Sequence, residues 1–387
     1  MIAAPDHETR ARAAAIARTG LAGIELRSVV DEPLIDEAWR SLVERCLHHR
    51  IVGLLAAAVE SGELPVTAIQ REEVLTHHRE RLSTCLLIEQ QLLATERLLE
   101  QVGVEIRVLK GPAVAHLDYP DPAMRSFNDV DILVPPQHVD RAVSELIGAG
   151  YTRRFAEVRP GFDARFSKGV ELFNGTDPEI DLHRTFVMGP YGLWIDTDDL
   201  WRSVERFELG GRQLSAFDLD VRFVHACYHV ALGGLDPRLA QLRDIPQLLT
   251  REGGGPDIDR CVAIARRWEG EAVVARAVVL AWDGLGLDET DLSRWARGYS
   301  PDARERRAMR SYLDPQMGYA ARCLTAVAAV PGWRSKAAFT WGLAFPSEAY
   351  GAGRHAGRRQ RWGRALGDVR RLVSPGSSGP DSKRHVP

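Results

Sequence analysis

The stretch Arg125-Ser126-Phe127-Asn128-Asp129-Val130-Asp131-Ile132-Leu133-Val134 decides how the rest of the chain is read. Its second half alternates around two aspartates, and the spacing predicts a strand over 130–134. Successive side chains of a strand point to opposite faces, so Asp129 and Asp131 share one face while Val130 and Ile132 take the other. Two carboxylates held that close repel, which raises one pKa unless a cation lies between them. Mg²⁺ is the natural cation, since it takes hard oxygen ligands and is commonly held by one or two carboxylates plus substrate phosphates.

A second alternating stretch, Glu179-Ile180-Asp181-Leu182-His183, predicts a strand that sets Asp181 beside the pair. Three carboxylates meet the requirement of two-metal phosphoryl chemistry, in which the ions stand about 3.5 to 4 Å apart on the attacking and leaving oxygens. Asp181 is then expected on the first ion, where it takes the acceptor's proton. Upstream, residues 106–109 predict a short strand that ends at Lys110, and Gly111-Pro112 opens a helix through Leu117. The free N–H groups of a helix start suit an NTP phosphate, with Lys110 and Arg125 adding positive charge.

Working outward, apolar residues recur at helical spacing up to about residue 103, most clearly where Leu75, Leu82, Leu86 and Leu93 line one face. From 104 the chain interleaves strands and helices. Strands over 151–158, 170–173 and 180–186 and a helix over 139–147 predict an α+β core, a small mixed sheet with helices on one face. After Gly189-Pro190 come a hairpin across Gly210-Gly211 and helical spacing from Asp218 to about Leu313, broken at Gly233-Gly234 and Gly253-Gly254-Gly255. The expected organisation is a helical domain over 1–103, a catalytic core over 104–190, a mainly helical domain over 191–372 and a flexible tail over 373–387.

Composition narrows the classes. With 387 residues, 45% hydrophobic and 27% charged, the chain has the balance of a globular protein of more than one domain. A net charge of −3 gives no global attraction to nucleic acid, so nucleic acid is not an expected partner. Five cysteines lie far apart without zinc-ligand spacing and are expected reduced and mostly buried. The N-terminus lacks the apolar run of a secretory signal, and no segment reaches the roughly 18 apolar residues of a membrane span, so a cytoplasmic location is expected. Of 50 basic residues only Lys110, Lys168, Lys336 and Lys383 are lysines, so a lysine in a suggestive place gains weight.

The motifs Val108-Leu109-Lys110-Gly111-Pro112-Ala113, Asp121-Pro122, Arg125, Asn128-Asp129-Val130-Asp131-Ile132-Leu133-Val134 and Glu179-Ile180-Asp181-Leu182-His183 together resemble an uncharacterised nucleotidyltransferase family of the polymerase-β superfamily. The resemblance covers Gly103 to Phe186 and runs more loosely through His225, His229, Leu242-Arg243-Asp244-Ile245 and the 345–350 stretch. It implies Mg²⁺, as two ions or with Mn²⁺ in its place, on Asp129, Asp131 and Asp181. It also implies nucleotide contacts by Lys110, Gly111, Pro112, Arg125 and Asn128. The implied reaction moves a nucleoside monophosphate from an NTP such as ATP to a small-molecule, peptide or protein acceptor. A nucleotide-binding pseudoenzyme and a peptide-binding helical scaffold are the alternatives.

Other features take plainer readings. His225 and His229 have metal-ligand spacing but lack the glutamate of a zinc protease motif, and are expected to pack toward the core. Arg243-Asp244 reads as a structural ion pair, and the run from Arg354 to Arg371 as a solvated basic helix face.

Overall fold

The computed structural model describes residues 7–21 and 31–352. Among the described residues seven strands are formed: β1 (Arg107–Val108), β2 (Val130–Leu133), β3 (Thr152–Arg153), β4 (Gly169–Phe173), β5 (Ile180–His183), β6 (Glu205–Leu209) and β7 (Arg212–Ala216). They make one mixed sheet in the order β3-β4-β5-β2-β1-β7-β6. The central pair, β2 and β5, is parallel, and the hairpin expected at Gly210-Gly211 joins the sheet through a parallel contact of β7 with β1.

The alternation read in β2 is what divides the two faces. Val130 and Ile132 point to one side, where Val170, Leu172, Ile180 and Leu182 continue the apolar surface from β4 and β5. The helices Ala68–Gln101 and Val139–Gly148 close over it with Ile88, Leu92, Leu99, Val139, Val143 and Leu146. Full burial of each such side chain contributes about 1.5 to 3 kcal/mol, so this layer fixes the register of every strand in it. The long helix starts at a capping box in which Thr67 and Gln70 bond each other's backbone N–H groups.

The second face is covered at one end. Leu109, Leu133, Phe186 and Phe217 belong to a larger core with the helices that follow residue 218, where Phe186 packs edge-on against Tyr228 and Trp268. This pull explains why β5 stops at His183 instead of running to 186. The strand expected over 151–158 is likewise confined to Thr152–Arg153, because Val158, Phe162 and Phe166 leave the sheet for Val330 and Phe339. Ser347 fastens that contact, its N–H donating to the Val158 carbonyl at 2.7 Å.

Cys46, Cys85, Cys227 and Cys261 are buried, and Cys323 is half-buried. Among the described residues no helix is long and apolar enough to cross a membrane. The basic run over 354–371 and the tail over 373–387 lie outside the described residues.

Candidate active site

Asp131 of β2 and Asp181 of β5 are partners in the parallel register, so their side chains leave the same face of the sheet next to each other. Asp129 and His183 stand two residues from them, on that face by the same alternation. His183 places its Nε2 2.8 Å from Asp131 Oδ1 and 3.0 Å from Asp181 Oδ2, and its Nδ1 3.3 Å from the Thr185 carbonyl. Two lysines complete the group. Lys110 Nζ lies 2.9 Å from Asp131 Oδ1, and Lys168 Nζ 2.6 Å from Asp181 Oδ2.

These contacts set the charges. Burial alone would push Asp131 up, but Lys110 and His183 outweigh it and hold the carboxyl well below the usual carboxylate range. Asp181 is lowered in the same way, burial being outweighed by His183 and then Lys168. His183 is raised: burial works against its charge, and Asp181 and the bonds to both carboxylates prevail. Asp129 differs from its neighbours. No cation comes within ion-pair distance of it among the described residues, and burial and the Asp131 charge raise its pKa.

Asp131, Asp181 and His183 each offer a ligand atom, all within 4.8 Å of one another, a donor set that fits a divalent cation. The loop before them is built for close approach. Gly111 has φ 54°, and a Cβ there would come within 3.2 Å of the Phe127 side chain. Pro112 occupies the first turn of the helix Pro112–Asp118, where a missing N–H does least harm.

The remaining expected residues are placed less directly. Arg125 is buried, with Nε and Nη2 each 2.8 Å from an oxygen of Asp244, so two of its donors already have a partner. Asn128 is exposed beside Asp129. The ion pair read as Arg243 with Asp244 is not formed: Arg243 donates to the Thr19 carbonyl, and Asp244 takes Arg125 and the Tyr119 hydroxyl. Adjacent residues on a helix point about 100° apart, which is why sequence neighbours could not make that pair. His225 packs at 4.4 Å between ring centroids on Phe186, as expected of a histidine turned toward the core.

Sequence reasoning gave no role to His183 or Lys168. His183 was visible, since it shares the period of two with Asp181. Lys168 had only the rarity of lysine to mark it, and half of the chain's lysines do converge here.

A mixed sheet flanked by helices, with two aspartates in register and a third beside them, is the nucleotidyltransferase arrangement that the motifs imply. A family model described as an uncharacterised nucleotidyltransferase matches residues 36–285, and the chain belongs to that family. The match begins and ends earlier than the motif resemblance: it takes in the helices after residue 36 and leaves out the 345–350 stretch. Among solved structures the chain is similar to an antigenic nucleotidyltransferase-like protein from Paracoccidioides brasiliensis, at 12% identity over 50% of this chain and 92% of that one. The TM-score of 0.26 is too low to carry weight. No curated protein matches the chain.

Proposed function

We propose that the protein transfers a nucleoside monophosphate from an NTP to an acceptor in a Mg²⁺-dependent reaction, using Asp129, Asp131 and Asp181. The observation that carries this reading is the parallel pairing of Asp131 with Asp181, with Asp129 on the same face, in a chain of a nucleotidyltransferase family. An acceptor oxygen forms a bond to the α-phosphorus, the α–β phosphoanhydride breaks, and pyrophosphate leaves. Divalent metal held by these carboxylates, as one ion or two, would neutralise phosphate charge and favour the ionised acceptor.

The chain's own residues do the rest. Lys110 and Lys168 neutralise Asp131 and Asp181 while the site waits for substrate, and both are single point charges on flexible stems. Displaced from the carboxylates, both ammonium groups would turn to α-phosphate oxygens. The acceptor's proton passes to Asp181, and Asp129, the carboxylate with no cation on it, stands toward the leaving phosphates. Arg125, fixed by Asp244, holds the 125–129 turn in place instead of reaching the nucleotide.

One feature favours a second reading, nucleotide binding without turnover: Asp131 and Asp181 already carry internal cations. The two are separated by pyrophosphate release from each of the four NTPs with Mg²⁺, with a lysate of the source organism supplying the acceptor. Release by the wild type that Asp129→Asn abolishes is the expected result. Nucleotide binding with no release above that variant would transfer the assignment to the second reading.

A further inference from the structure

Nothing in the residues considered so far takes the two phosphates that leave. The pyrophosphate half of a bound NTP carries most of its charge, yet Arg125 is paired with Asp244 and the lysines stand on the carboxylates of β2 and β5. The helices before the sheet hold a group that fits. Arg50, between the helices Asp36–His48 and Val52–Glu60, places Nη2 3.1 Å from one end of the Asn128 amide. Arg81, from the helix Ala68–Gln101, places Nη1 3.5 Å from the other end. Both are half-exposed, and neither has a carboxylate within ion-pair distance among the described residues. Asn128 is bonded in sequence to Asp129, the one site carboxylate that lacks a cation, and Arg50 and Asp129 act on each other's charge.

The backbone at Arg50 adds a second observation. Its φ is 59°, the left-handed region that glycine favours at a helix end, and the Arg50 carbonyl accepts from Ser126 Oγ at 3.2 Å. An arginine in this position strains the helix end that a glycine would close without strain. Burial, then the nearby Arg238, lowers its pKa, and the Asp129 charge offsets this in part. The helices that carry both arginines lie inside the family match, which starts at residue 36.

We propose that Arg50 and Arg81 bind the β- and γ-phosphates of the NTP, on the Asp129 side of the site, and hold them as pyrophosphate leaves. Planar guanidinium groups suit this, since each offers paired N–H donors to phosphate oxygens. The proposal rests on the nucleotidyl-transfer reading and supplies its phosphate-binding wall.

Calorimetric titration of the full chain with Mg-ATP, Mg-tripolyphosphate and adenosine tests it, using Arg50→Gly and Arg81→Gln. Each variant is expected to bind tripolyphosphate and ATP about ten- to a hundredfold more weakly, the worth of a charged hydrogen-bonded contact, with adenosine unchanged. Arg50→Gly relieves the strained φ, so its melting temperature is expected to equal or exceed that of the wild type, which a structural role for the side chain would not allow. A wild type that binds both phosphates while the two variants bind them equally well overturns the arginine proposal and leaves nucleotidyl transfer standing. A wild type that binds neither ATP nor any other NTP with Mg²⁺ overturns both.

Discussion

Two groups of buried charges lie at opposite ends of the Pro112–Asp118 helix, and they are built from different cations. At its far end Asp118 is gripped by Arg222, with Nε at 3.0 Å and Nη2 at 2.8 Å, and by Arg251 at 3.1 Å, while Glu205 takes Arg222 Nη1 at 2.7 Å. At its near end Asp131 and Asp181 meet Lys110, Lys168 and His183. In a chain whose basic residues are almost all arginine, the fixed fork of arginine goes to the carboxylate that must stay put. The movable ammonium groups and a titratable ring go to the carboxylates that, on the proposed function, take a new ligand. A lysine can leave a carboxylate when metal arrives; a bidentate arginine resists.

The sharpest way to break this comparison is to neutralise one carboxylate in each group. Asp131→Asn is expected to reduce pyrophosphate release on the order of a thousandfold or more, since charge stabilisation by metal is worth several kcal/mol. Its melting temperature should fall by less than that of Asp118→Asn, because His183 keeps Asp181 and Lys110 keeps Asp129 as a neighbouring charge. Asp118→Asn should do the opposite. It strips Arg222, which is almost fully buried, of its main partner, a loss of about 3 kcal/mol or more on chemical denaturation. If Asp131→Asn were the one to destabilise, the near group would be structural and the assignment of the site would fail.

A smaller effect sharpens the same contrast. Lys168→Arg replaces a point charge on Asp181 with a fork of the kind that holds Asp118. Mn²⁺ affinity measured by calorimetry is expected to fall about tenfold, with the melting temperature held or raised. Equal affinity in wild type and variant would mean that the Lys168 contact plays no part in keeping Asp181 available.

How much of this was legible in the sequence follows from the range over which each contact acts. Asp129, Asp131 and Asp181 could be read because alternation in a strand is a local rule, and the same rule held Val130 and Ile132 to the buried face. His183 obeyed that rule too. Lys168 lies thirteen residues from Asp181 and meets it only because β4 folds back antiparallel on β5, setting Gly169 opposite His183. Arg50, in the turn between two helices, and Arg81, on the Ala68–Gln101 helix, are farther still from the carboxylates in sequence. Arg125 was recognised as important, but its partner Asp244 lies 119 residues away, and only the fold reveals that the pair is structural. Local geometry named the carboxylates; long-range contacts chose their cations.

The weakest expected effect separates two histidines near the site by the sign of their pH dependence. His183 has a raised pKa, so its contribution to stability is present below its unfolded value and is lost as pH rises through the folded one. His225, in the layer beneath, is pushed down to about 3 by burial and then by Lys110, and it stays neutral. An unfolded histidine titrates near 6.5, so between these values the unfolded chain binds the extra proton and stability rises with pH. The contribution of His225 is complete above about 6.5 and falls away toward 3, with about 2 kcal/mol of it lost by pH 5. His49, lowered to about 4, and His229 act in the same direction. Urea unfolding at pH 7 and pH 5 should therefore show wild type losing more stability than His225→Gln, which keeps a polar side chain but cannot titrate. An equal loss in both proteins would mean that His225 is charged or solvated beneath the site, and that the layer under Lys110 is wetter than its packing against Phe186 implies.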